Sequence, residues 1–89
     1  MNVREENKFK LTYIDDADLQ SHYHDEEIMP EENARQWFNT MTNAFHSICK
    51  NDQKHETHEQ WNDERTTYHF NLDVFPHIVT TIKLEKINN

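Results

Sequence analysis

Residues 50–64 read KNDQKHETHEQWNDE and hold the pattern that most invites chemistry. His55 and His58 stand three apart, each followed by a glutamate. A zinc-protease helix sets its histidines four apart, so that both imidazoles reach one metal and the glutamate after the first serves as base. A spacing of three still shares a helix face. A helix here would lack an apolar stripe, however, because Trp61 is the segment's one large apolar side chain. The protease reading fails on both counts.

A wider metal set is the alternative. In HYHDEE, His22 and His24 fall on one side of an extended chain. With His55 and His58 they offer four nitrogen donors, a set that suits zinc or nickel. Nothing in the sequence brings the two segments together, and no Cys-x-x-Cys pattern supports them. Asp16, Asp18 and Glu27 match three ligand positions of a calcium loop, but Ser21 stands where that loop needs glycine. His46 and Cys49 share a helical face, yet Cys49 continues an apolar stripe and reads as a small buried hydrophobe. The leading expectation is therefore no catalytic residue, no metal and no cofactor.

The chain has no glycine, where about six would be usual at this length. Phosphate-cradling loops, dinucleotide turns and nucleophile elbows all depend on it. Those enzyme classes are excluded, and turns fall to Asn, Asp and Pro.

Charge is the strongest non-random feature. There are 17 acids against 9 Lys and Arg, a net −8. Eight of the acids lie between Leu11 and Ala34: Asp15, Asp16, Asp18, Asp25, Glu26, Glu27, Glu31 and Glu32. No Lys or Arg interrupts them, and the remaining nine acids balance the nine bases. The whole net charge thus occupies one contiguous stretch.

Several elements must position these groups. KFKLTYI alternates Phe9, Leu11 and Tyr13 with Lys8, Lys10 and Thr12, the period of a half-buried strand. Residues 15–32 read as an acidic loop. Pro30, then Glu31 and Glu32, mark a helix start, and Lys50 suits its end. Between about 30 and 50, Ala34, Trp37, Phe38, Met41, Phe45, Ile48 and Cys49 form one apolar face, with Thr42 opposite. Residues 51–64 read as a polar connection: a loop, a frayed helix, or the outer strand of a hairpin turning at Asn62 and Asp63. Tyr68, Phe70, Leu72 and Val74 alternate with polar residues up to Pro76. Ile78, Thr80, Ile82 and Leu84 then share a face.

The expected fold is a single α+β domain of two layers. A three-stranded antiparallel sheet, in the order β-α-β-β, carries one helix across one face. The last two strands form a hairpin and the first pairs with one of them. The other sheet face is rich in Lys, Thr, His and Asn.

The net charge would repel nucleic acid, so direct binding is not expected. The sequence suggests the inverse. Carboxylates standing where phosphates would lie can fill the groove of a basic, DNA- or RNA-binding protein. The expected contact set is the eight acids together with Tyr23 and Trp61 as aromatic anchors. Ten asparagines and many Lys, Ile, Glu and Asp accompany AT-rich coding, including that of many bacteriophages. A phage-type inhibitor or regulator fits this usage. Seven histidines give a second reading, a metal or pH sensor, since full protonation moves the charge from −8 to −1. A homodimer through the open sheet face is a third. The first residues, MNVREENKFK, show no leader, and no apolar run reaches membrane length, so a cytoplasmic setting without a membrane is expected. The lone Cys49 agrees with a reducing compartment.

Overall fold

The computed structural model describes residues 8–17 and 21–87. Six elements follow along the chain: β1 (Lys8–Ala17), β2 (Ser21–Pro30), α1 (Glu31–Asn51), β3 (Thr57–Trp61), β4 (Thr67–Leu72) and β5 (Ile78–Ile87). One antiparallel sheet of five strands has the order β2-β1-β5-β4-β3. No helix is long and apolar enough to cross a membrane among the described residues.

The α+β class and the single helix on one face agree with the sequence reading. The three-stranded sheet and the order β-α-β-β do not: the order is β-β-α-β-β-β. Both added strands were concealed by their polarity. Ser21–Pro30 forms a ten-residue strand paired along the whole of β1, where an acidic loop is expected. The supposed connection 51–64 contains β3, paired with β4. Its hairpin does turn at Asn62. The Asn62 side-chain oxygen accepts the N–H groups of Thr66 and Thr67 at 2.8 and 2.9 Å. Without glycine, Arg65 takes a left-handed backbone in this turn, with φ 60°, and His55 does so before β3, with φ 59°.

The register assigns each side chain to a face. Leu11 stands between Glu27 and Leu84, and Tyr13 between Asp25 and Ile82. Tyr68 then continues the second row beside Ile82. These residues face α1. Phe9, Leu11, Ala34, Phe38, Tyr68, Phe70, Ile82 and Leu84 make the core, with Tyr13, Met29, Met41, Phe45, Cys49, Trp61 and Leu72 packed against it. The opposite face carries Lys10, Thr12, Lys83, Glu85 and His69, as their alternation requires. β4 ends at Leu72, short of Pro76, so Val74 lies in the following bend and is exposed.

The helix is set one step away from the expected stripe. Ala34, Phe38 and Thr42 are its buried residues, while Trp37 and Ile48 are 57% and 48% exposed. Thr42 tolerates burial because its hydroxyl donates to the Asn39 carbonyl at 3.3 Å. The mismatch has a geometric cause. Five strands span roughly 19 Å across four spacings of about 4.8 Å. A helix with its side chains is only about 10 Å wide. One helix cannot cover such a sheet, and Trp37 is left at the border of the part it covers.

Candidate functional groove along strand β2

Open grooves remain on both sides of α1, one beside β3 lined by Asn43, His46, Glu59, Trp61 and Arg65, and one beside β2. This strand is an edge of the sheet, with β1 as its neighbour on the inner side. Its helix-side positions are Tyr23, Asp25, Glu27 and Met29, and its other side presents His22, His24, Glu26 and Ile28. The chain passes directly from Pro30 into α1. Strand and helix are therefore joined at one end and separate beyond it. Between them runs an open groove of about 400 Å³ lined by Leu11, Tyr13, Tyr23, Asp25, Glu27, Met29, Trp37 and Met41.

Each lining residue has a physical reason to be there. Leu11, Met29 and Met41 are the outer margin of the core and form an apolar floor. The Tyr23 ring stands edge-on to Tyr13, with centroids 5.9 Å apart, and remains 56% exposed. Tyr13 is half-buried, and burial, then the Asp15 carboxylate, push its phenol above the ordinary value. Asp25 and Glu27 are exposed, and their side chains carry no hydrogen bond or ion pair among the described residues. The groove thus combines two exposed aromatic rings with two uncompensated carboxylates and no basic residue.

The expected contact residues do not share one ridge. Asp15 faces the helix side and accepts a hydrogen bond from Thr80 at 2.9 Å, a structural task. Asp16 is on the other face, bonded to His22. Asp18 lies outside the described residues. Glu26 meets His24 at 2.9 Å, again on that other face. Glu31 accepts from Arg35 at 2.7 Å, and Glu32 is exposed in the first turn of α1. Asp25, Glu27 and Tyr23 are the three that the fold gathers into one site.

Trp61 is not with them. It lies on β3, at the opposite edge of the sheet. Its ring packs edge-on against Phe38 at 5.8 Å and Tyr68 at 4.9 Å, and Arg65 covers it at 4.9 Å. It plugs one end of the core, which removes it from an interface with the acidic tract.

The four-histidine set is likewise dispersed. His22 and His24 stand on β2, His58 on β3 bonded to Asp73 at 2.8 Å, and His55 in the preceding turn. Four strand spacings, roughly 19 Å, separate the two edges, far beyond the reach of a shared ion. No group of three His, Cys, Asp or Glu side chains that could hold a metal occurs among the described residues. His46 directs Nδ1 to Glu59 at 2.7 Å, and Tyr68 donates to the other Glu59 oxygen at 2.8 Å. Cys49 is half-buried, and desolvation raises its thiol pKa above the ordinary value.

Trp37, Met41 and Met29 were the residues that sequence reasoning missed for this site. The helical spacing places Trp37 in the core, whereas the structure leaves it exposed. Its signal was weak but present: an aromatic on the shoulder of a helix whose opposite shoulder carries the small Thr42. No family model, curated protein or solved structure matches this chain.

Proposed function

We propose that this protein is a small acidic binding module that inhibits or regulates a basic, nucleic-acid-binding protein by occupying its phosphate-binding surface. One observation carries the reading. Asp25, Glu26 and Glu27 lie consecutively on an exposed edge strand that has no Lys or Arg. Side chains on a strand alternate, so these carboxylates flank the edge from both sides, as phosphates flank a groove. Asp16 and Glu32 extend the negative surface at either end. Holding like charges together is unfavourable in the free protein and is relieved by cations of a partner.

The test is capture from a nuclease-treated lysate of a candidate host, eluted with rising salt. The expected partner is a basic DNA- or RNA-binding protein that duplex competes away. At 1 M salt, where the Debye length is about 3 Å, the complex should be lost. The triple variant Asp25→Asn, Glu26→Gln, Glu27→Gln should fail to capture it. Retention through 1 M salt, or unchanged capture by the variant, contradicts the proposal.

A further inference from the structure

We infer that the groove between β2 and α1 is an arginine-binding site, taking guanidinium side chains from an extended segment of the partner protein. The assignment rests on the basic-partner reading and specifies which cation the site prefers and where it sits.

The chemistry of the lining selects the occupant. Asp25 and Glu27 favour a positive charge, and neither carries an ion pair among the described residues. Tyr23 and Trp37 are exposed aromatic rings, 56% and 57% accessible, on facing sides of the same groove. A ring face attracts a cation, and a planar guanidinium both stacks on it and donates in parallel to a carboxylate. The apolar floor of Leu11, Met29 and Met41 suits an aliphatic stem. A lysine ammonium is compact and strongly hydrated and exploits the rings less well. A purely apolar side chain would leave two carboxylates desolvated without compensation.

The protein shows this combination of ring and carboxylate once within itself, at Arg35, and the ring contact alone at Arg65. Arg35 lies over the Phe9 ring at 5.3 Å while bonded to Glu31 at 2.7 Å, and Arg65 lies over Trp61 at 4.9 Å. The groove has the rings and the carboxylates of that arrangement and lacks the arginine.

The strand supplies the spacing. Asp25 and Glu27 are two residues apart on the same side of β2. An extended segment lying along this edge sets every second side chain over the same side, so arginines at alternate positions would meet them in turn. Glu26 faces the other side and belongs to the general negative surface, not to this groove.

Two fluorescein-labelled ten-residue peptides of equal charge provide the test, one alternating Arg with Thr and the other Lys with Thr. Anisotropy at low salt should show the Arg peptide binding about five- to tenfold more tightly. Trp37→Ala should weaken the Arg peptide by a similar factor and bring the two peptides close together, about the worth of one stacked cation. Asp25→Asn with Glu27→Gln should abolish the preference, whereas Glu26→Gln should lower the affinity for both peptides equally. Trp37 is exposed, so its removal is compatible with folding, and an unchanged circular dichroism spectrum checks this. Equal, salt-sensitive binding of the two peptides with no effect of Trp37→Ala overturns the arginine site while leaving the basic-partner reading standing. Absence of binding by either peptide at low salt overturns both.

Discussion

Individual residues explain most of the local order, and Tyr68, His55 and Cys49 each carry a measurable consequence. Tyr68 is fully buried and donates to Glu59, which also holds His46. Burial, and then Glu59, push its phenol far above its ordinary pKa, which keeps it a donor at neutral pH. Tyr68→Phe should cost about 1.5–3 kcal/mol in urea unfolding, the worth of a hydrogen bond to a charged group. A loss near zero would mean that Glu59 is satisfied without it. His55 presents the opposite case. Its left-handed backbone costs roughly 1–2 kcal/mol, against roughly 0.5–1 kcal/mol for the added entropy that glycine loses on folding. His55→Gly should therefore raise stability by about 0.5–1 kcal/mol, read as a higher urea midpoint. Cys49 completes the set. Its raised thiol pKa and partial burial predict slow reaction with a thiol reagent at pH 8 until the protein is unfolded. Fast reaction in the native state would contradict that environment.

At the scale of elements, the strands with apolar alternation were legible and the polar ones were not. Phe9, Leu11 and Tyr13, Tyr68, Phe70 and Leu72, and Ile78, Ile82 and Leu84 each announce a face by period two, and all lie where that period puts them. β2 obeys the same period, but with Asp25 and Glu27 on the helix side and Glu26 on the other, so no hydropathy contrast marks it. β3 has only Trp61 as an apolar member. The site was legible as a charged segment and a tyrosine. It was not legible as a groove, because Trp37 and Met29 become its walls only through the placement of α1 on a sheet wider than itself.

Charges on an edge strand also guard against pairing with other chains. Asp25→Thr, Glu26→Val and Glu27→Thr together should keep the monomer fold yet induce concentration-dependent association in sedimentation. The junction between α1 and β3 depends on Asp52. Its carboxylate accepts the N–H of Thr57 at 2.7 Å, the Thr57 hydroxyl at 2.8 Å and the N–H of Lys54 at 2.9 Å. These bonds, led by the Thr57 N–H, hold its pKa well below the usual carboxylate value. A depressed folded-state pKa means that the stabilisation is complete above the unfolded value of about 4 and fades as pH falls toward the folded one. Asp52→Ala should thus lower Tm at pH 7, and the gap from wild type should narrow below pH 4.

For the whole molecule, the decisive fact is the asymmetry of a single helix on a five-stranded sheet. It leaves one edge with carboxylates and aromatic rings in a shared groove, and sets Trp61 and His58 at the far edge. Strand β2, which carries Asp25, Glu26 and Glu27 and no Lys or Arg, makes that edge negative. The most direct measurement is amide chemical-shift mapping of the labelled protein titrated with the basic partner proposed above. The account predicts shifts concentrated at residues 22–32 and at Trp37 and Met41, which vanish as salt is raised. Shifts centred on β3 and β4, or binding with no response at β2, would contradict it.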